Sequence, residues 1–311
     1  MNRKHHHLLF SYFVAAVLIL SGCVPQQLKP TPVCPGKESA AVALSVLGSR
    51  AKDMVPLKAN GQCLLEYYVE GKKHKENFPV KLWVHPVRSK TPDICPLLAG
   101  ISNGVNPPVE VYLQGDIAFN PRGLVLGSNE REFWLSIRPE EISSYWWGLW
   151  SEGGYNEKLV ISPQIVLEAL GIAAVGGDEY GEKDWSLSKE NGFDVLTQSS
   201  DEGRPVKKLY ISSCDYLVRR IEYFYTGDEV TVAAELEKYK EVLEGVFVPA
   251  SVKITTRAGV NRGDSVKITF DSIKKAEFPE KLRNRIFTRP DPQGFKHIYK
   301  IVNGRIVEQP Q

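Results

Sequence analysis

The chain has 311 residues, 42% hydrophobic and 24% charged, a composition able to bury a sizeable core and unlike that of a disordered chain. Its 39 Lys+Arg against 37 Asp+Glu leave a formal net charge of +2, which excludes the concentrated basic surface of a nucleic-acid binder. The length fits one large all-β domain or two smaller ones.

The amino terminus is read first. Arg3 and Lys4 open it, His5 to His7 follow, and an apolar-to-neutral run extends from Leu8 to Leu20. That run is short for a hydrocarbon core of roughly 30 Å, so it reads as the core of an export signal. It ends in Leu20-Ser21-Gly22-Cys23, which resembles the lipobox of bacterial lipoproteins. In those proteins the cut falls just before the cysteine, whose sulfur receives a diacylglycerol. The resemblance implies a signal peptide over 1–22 and lipidation at Cys23, so palmitate and other acyl groups would hold the chain to a membrane. An ordinary secretory signal followed by a chance cysteine is the alternative. No later apolar run reaches spanning length. Val24 stands where some bacteria use aspartate for inner-membrane retention, which favours the outer membrane with the domain facing the periplasm.

Residues 23–36 form a tether, because Pro25, Pro30 and Pro32 deny helix and favour extended backbone. Beyond Cys23 lie Cys34, Cys63, Cys95 and Cys214. Their spacing matches neither a zinc knuckle nor a redox dithiol, and zero, one or two disulfides are possible in an oxidising compartment. A bridge among Cys34, Cys63 and Cys95 is expected ahead of one to distant Cys214, with buried free thiols as the alternative. From Glu38 to Met54, Ala40, Leu44, Leu47, Ala51 and Met54 recur at helical spacing, and Pro56 ends the element. That stripe is read as core packing.

From Gly61 the period becomes two. Cys63–Glu70 and Asn77–His85 flank a Gly71-Lys72 turn as a hairpin does. Further strands are expected at Val109–Gln114, Gly123–Leu126, Glu132–Ile137, Phe193–Thr197 and Lys207–Ser213. Tyr216–Tyr225, Val230–Tyr239, Val246–Thr256 and Ser265–Ala276 complete the series. So many short strands point to a mainly β (α+β) fold, an antiparallel sheet that curls strongly or closes. A helix is predicted over Gln164–Leu170, with Ser162 to cap it, Pro163 at its first position and Gly171 to stop it. The stretch Gly171–Asn191 is glycine-rich and charged and reads as a loop. Its glycine spacing lacks the Lys-Ser or Lys-Thr of a phosphate-binding loop.

The inventory for catalysis is thin. After cleavage only His74, His85 and His297 remain, without a metal-binding helix pattern, and there is neither a nucleophile elbow nor a paired-carboxylate signature. The doublets Asp228-Glu229 and Glu140-Glu141 read as solvated surface charge. No enzyme activity, cofactor or metal is expected. Four of the six tryptophans (Trp134, Trp146, Trp147 and Trp150) fall near Phe133 and Tyr145. Such rings are ordinary core in one reading and line a lipid site in the other.

The segments Tyr216-Leu217-Val218-Arg219-Arg220-Ile221-Glu222-Tyr223-Phe224, Gly227-Asp228 and Tyr239 through Gly245-Val246-Phe247-Val248-Pro249 resemble the LolA/LolB-like lipoprotein-sorting family. Gly123–Gly127, Glu132-Phe133-Trp134, the strand Ser265–Ala276 and Phe287 are similar to further parts of it. The resemblance spans most of residues 37–300, taken as one domain with 301–311 as a tail. It implies a half-open antiparallel β-barrel with a few helices packed on or in its concave face and an apolar cavity for acyl chains. Lipid or lipoprotein acyl chains are then the expected ligand, in the bacterial cell envelope. Alternation nominates Leu82, Val84, Leu113, Phe133, Leu135, Ile221, Tyr223 and Val252 as lining residues, a set that a one-residue slip in register would exchange. The alternative is an envelope scaffold or sensor that uses the fold to bind a protein partner. The chain departs from the family's soluble carriers in its anchor and in the insertion near 171–191.

Overall fold

The described residues form fifteen strands hydrogen-bonded in one sheet. The computed structural model describes residues 34–69, 71–86, 109–117, 120–139, 142–152, 163–171, 185–225, 227–259, 262–303 and 305–310. The signal segment, Cys23, the tether before Cys34, Cys95 and Glu140-Glu141 lie outside the described residues.

In chain order the first elements are α1 (Ala40–Lys52), β1 (Leu57–Val69), β2 (Lys72–Pro86), β3 (Val109–Ile117) and β4 (Asn120–Ser128). There follow β5 (Glu132–Ile137), β6 (Ser144–Leu149), a 3-10 turn at Trp150–Glu152, and α2 (Pro163–Ala169). The second half begins with β7 (Trp185–Glu190), β8 (Phe193–Ser199), β9 (Pro205–Ser212) and β10 (Val218–Tyr223). It continues through β11 (Val232–Leu243), β12 (Val246–Thr256) and β13 (Ser265–Lys275) to α3 (Glu280–Ile286), β14 (His297–Val302) and β15 (Arg305–Glu308). The sheet order is β15-β14-β6-β5-β4-β3-β2-β1-β13-β12-β11-β10-β9-β8-β7, so among the described residues β15 and β7 are the edges and the sheet does not close.

Its curvature follows from α2, which packs against β5, β11 and β12. Between β5 and β12 lie β4, β3, β2, β1 and β13. Six inter-strand steps of about 4.8 Å would separate the two by roughly 29 Å in a flat sheet. A helix about 10–12 Å across can touch both only if the sheet wraps around it. Of the two outcomes that the alternation left open, a sheet that curls or one that closes, the fold is the curled one, and it is the half-open barrel that the family resemblance implies. All neighbouring strands run antiparallel except β14, which lies parallel to β6 with Tyr299 opposite Trp146.

The inner face carries the core. Cys63, Leu65, Val80, Leu82, Leu113 and Leu126 meet Val252, Ile268, Leu236 and Leu209 in one buried cluster that takes in Ala43 of α1 and Ile165 to Leu167 of α2. Helix α1 is capped by Ser39, whose Oγ accepts the Val42 amide at 3.3 Å, and its Arg50 donates to the carbonyls of Tyr216 and Asp215. Helix α2 starts at Pro163 and stops before Gly171, whose φ of +69° few other residues would adopt. The outer face has a smaller cluster of Val125, Trp134, Tyr145 and Phe295. It is covered by the segment after α3. Arg283 forks onto Glu110, Arg289 meets Glu132 at 2.7 Å, and the Tyr145 hydroxyl donates to the Pro290 carbonyl at 2.8 Å.

Four expectations are corrected. The loop expected over Gly171–Asn191 contains β7, where Trp185 and Leu187 alternate with Ser186 and Ser188 at the sheet edge. Residues 301–311, expected as a tail, contribute the end of β14 and all of β15, because Ile301 is wholly buried under the sheet end. The strand expected from Tyr216 begins at Val218, after a left-handed turn residue at Tyr216 (φ +58°). Cys214, ranked last for bridging, is disulfide-bonded, as is Cys34. Cys63, by contrast, is a free thiol sealed in the inner core, where burial pushes its pKa up to about 12.

The inner face holds the fold together, so Leu236→Ala, in a side chain only 1% exposed, is expected to lower the unfolding free energy by about 2–5 kcal/mol in urea titration with an unchanged m-value. A loss under 1 kcal/mol would mean that β11 is not part of this core.

Candidate functional site on the inner face of the sheet

Strand pairing decides which nominated residues can share a site. Val84 lies opposite Val111 and Leu82 opposite Leu113. Leu113 in turn faces Leu126, and Leu126 faces Leu135. On the other wing, Val252 pairs with Leu236, and Ile221 pairs with Ala234 and Leu209. Directly paired residues project to the same face. Leu82, Val84, Leu113, Leu135, Ile221, Tyr223 and Val252 therefore lie together on the inner face, in the main core cluster. Phe133 is on this face too, in a side cluster with Ile301, Trp146 and Trp150. All eight are buried.

The tryptophan-rich stretch splits between the faces, as alternation requires. Phe133 packs on Trp150 at 4.8 Å between ring centres and Trp146 on Tyr299 at 4.2 Å, on the inner side. Trp134, Tyr145 and Trp147 belong to the outer cluster, where Arg289 lies 4.3 Å over the Trp147 ring. Gly127 sits flat beneath Trp134. A Cβ there would fall 2.2 Å from the indole, so the ring's seat needs glycine.

Against this apolar face, one polar group is conspicuous. Helix α2 reads Pro-Gln-Ile-Val-Leu-Glu-Ala, and its Glu168 is fully buried. A buried carboxylate without partners would cost several kcal/mol, and here every partner is supplied. Lys207 Nζ lies 3.1 Å from Oε1 and 3.0 Å from Oε2, the Tyr223 hydroxyl donates to Oε2 at 2.7 Å, and Gln164 donates to Oε1 at 3.2 Å. Lys207 also stands 5.6 Å over the Tyr223 ring, which is stacked on Tyr225. Burial, with the Glu168 charge beside it, holds the Tyr223 phenol well above its ordinary pKa, so this hydroxyl stays a donor.

The strands place these partners in a row. Tyr223 of β10 pairs with Lys207 of β9, and Lys207 with Gln198 of β8. Two residues along each strand comes an apolar row of Leu196, Leu209, Ile221 and Ala234. Alternation assigned Tyr223 to this face, but Glu168, Lys207 and Gln198 were not nominated. The signal was present in α2, a short helix whose one charge has only Gln164 a turn away as polar company among Ile165, Val166 and Leu167.

A second fully buried carboxylate, Asp194, lies on the same face towards the β7 edge. It accepts the Lys37 amide at 2.6 Å and the Ser213 hydroxyl at 3.3 Å, fastening the segment that follows Cys34. The histidines serve local contacts. His85 meets Glu110 at 3.0 Å, with burial lowering its pKa, His297 meets Glu308 at 3.1 Å, and His74 stacks on Tyr67. Among the described residues, no group of three or more His, Cys, Asp or Glu could hold a metal ion. Asp228 and Glu229 are exposed in a turn.

No protein-family model and no curated protein matches the chain. Among solved structures, a DUF1329 family protein from Desulfovibrio piger is similar with a TM-score of 0.50 at 11% identity, covering 81% of this chain and 98% of that one. It shares the fold. An outer membrane lipoprotein-sorting protein domain from Vibrio parahaemolyticus gives 0.47 at 11%, over 79% of this chain and 97% of that one. A LolA superfamily protein from Nitrosomonas europaea gives 0.45 at 11%, over 81% and 99%.

Removing one partner of the buried pair leaves a charge without compensation, so Glu168→Ala is expected to destabilise the fold by about 3–5 kcal/mol. The neutral pair Glu168→Gln with Lys207→Met should lose less than Glu168→Ala alone. Thermal unfolding of the two variants beside the wild type checks this, and equal losses would mean that the charges are not coupled.

Proposed function

We propose that this chain is a lipid-anchored lipoprotein of the bacterial cell envelope whose inner sheet face binds lipid or lipoprotein acyl chains, a non-catalytic role. The observation that carries this reading is the seating of α2. A helix occupies the concave face of an unclosed sheet and presents Ile165, Val166, Leu167 and Leu170 to it. Four such side chains contribute roughly 6–12 kcal/mol of burial, at about 1.5–3 kcal/mol each. An acyl chain of about 14 methylenes would contribute on the order of 11 kcal/mol at the same site, and loses as much on leaving a membrane. Helix and acyl chain are thus near-equivalent occupants, the condition a carrier needs in order both to load and to release.

The lipobox-like Leu20-Ser21-Gly22-Cys23 supports the anchor, Val24 favours the outer membrane, and the resemblance of 216–249 to lipoprotein-sorting proteins supports the ligand class. One observation favours the second reading, a scaffold or sensor that binds a protein partner: Leu82, Val84, Leu135 and Val252 are each at most 4% exposed, so the face is filled with α2 in place.

Two measurements separate the parts. Cells labelled with an alkynyl palmitate analogue should label the wild type and not Cys23→Ser, and label persisting in that variant would remove the anchor from Cys23. The full chain carrying Cys23→Ser, released gently from the envelope, should show bound acyl lipid in native mass spectra. Adding Leu135→Glu, with folding checked by circular dichroism, should abolish it. A clean apo mass with no uptake of added fatty acid would transfer the assignment to the partner-binding protein.

A further inference from the structure

The Glu168 site has the form of a ligand site already filled. A carboxylate carried on the aliphatic stem of Glu168 rests both oxygens on one ammonium and receives a phenol hydroxyl from the wall, with Gln164 of its own helix as a further donor. The wall groups belong to the sheet, Lys207 to β9 and Tyr223 to β10, whereas the carboxylate belongs to the helix. The polar row ends there. Leu209 and Ile221, two residues on in the same strands, begin the apolar surface, so a charged head and an apolar tail are accommodated about 6.6 Å apart along the strand direction.

The geometry points to Lys207 and Tyr223 as the headgroup site for the carboxylate of a fatty acid, a site that the Glu168 carboxylate fills in the present fold. The assignment rests on the acyl-binding reading above and narrows it to an anionic amphiphile. A lone Lys207 matches a single negative charge, Tyr223 supplies one further donor, and Gln198 stands next in the row. Buried sheet residues gain nothing from a lysine at this point unless an anion meets it. When α2 withdraws, Glu168 goes with it and the ammonium is left bare on an apolar wall, where an incoming carboxylate restores the same contacts. A neutral acyl group offers no such replacement, so charge selects the ligand while the apolar row holds the chain. A lipid phosphate shares the charge and the acceptor oxygens, and one arm of the test tells the two apart.

The test uses the full chain carrying Cys23→Ser, alone and with Glu168→Ala, Glu168→Gln, or Glu168→Ala plus Lys207→Met. Fluorescence titration compares cis-parinaric acid with its methyl ester. Removing the internal carboxylate should tighten binding of the acid by about tenfold and leave the ester unchanged. The variant that also lacks Lys207 should bind acid and ester alike. The acid should raise the melting temperature of the Glu168→Ala protein more than the ester does at equal concentration, a readout independent of its lower starting stability. Should that variant not fold, Glu168→Gln carries the same comparison. Acid and ester binding equally in every variant would overturn the headgroup site and leave acyl binding standing. Failure of both to bind any variant would overturn both readings. Displacement of the acid by lysophosphatidic acid but not by palmitic acid would overturn the carboxylate assignment in favour of a phosphate head.

Discussion

A single sheet with one apolar face has no second sheet to bury it against, and the rest of the structure follows from that constraint. Strands β1 to β5 and β9 to β13 present mainly apolar residues inward, and flat exposure of that surface in water would be prohibitive. Curling brings the two wings towards each other, and α1 and α2 fill what curling leaves open. Among the described residues, the outer face is covered where Arg283 of α3 and Arg289 and Pro290 of the segment after it contact β3, β5 and β6. Closure into a full barrel would remove the edges at β7 and β15, but it would also remove the room for a helix. The unclosed sheet and the helix in its concavity are one solution to one problem.

Within that solution Glu168 and Asp194, both fully buried, divide the labour. Asp194 is tied to backbone and side chain of its surroundings, through the Lys37 amide and Ser213, and it fixes where the chain enters the fold. Glu168 is tied mainly to side chains of other elements, with Lys207 and Tyr223 reaching it from the sheet. The difference matters for motion. A carboxylate bonded to main-chain amides moves only if the backbone moves, whereas a side-chain ion pair can be exchanged for another ion with the sheet unchanged. Apolar contacts alone would seat α2 with a similar energy but with no preference for register. The pair adds direction at one point on an otherwise uniform surface.

Much of this architecture was legible in the sequence because period two survives burial. Glu132–Ile137 and Val246–Thr256 appear as strands with the expected limits, and the first hairpin forms, although β1 starts earlier, at Leu57, and Lys72, expected in the turn, pairs with Val69 as the first residue of β2. Helix α2 was legible from Pro163 and Gly171, two residues whose backbone preferences are set by covalent structure and not by context. Strands β6, β7, β14 and β15 were not. In β6 the run Ser-Tyr-Trp-Trp-Gly-Leu is aromatic on both faces, so alternation of polarity vanishes, while β7 lies within a charged, glycine-rich stretch. The status of Cys214 was hidden for a different reason. Distance along the chain was taken as a cost, yet loop-closure entropy grows only logarithmically and the fold had already covered it.

The polar row was the hardest feature to foresee, and the reason is instructive. Lys207-Lys208 reads as a solvated doublet, but adjacent strand residues face opposite ways, so one lysine of such a pair must point inward whenever the strand is central. Strand β9 lies between β8 and β10, and Lys208 takes the outer side, over the Phe224 ring, leaving Lys207 inside. An inward lysine in a central strand calls for an anion, and α2 carries one charge with only Gln164 as polar company. Each half looks like an error in patterning when read alone. Together they specify where on a uniform apolar wall the helix must sit, and the charge on the sheet half remains there for whatever anion occupies the wall when the helix does not.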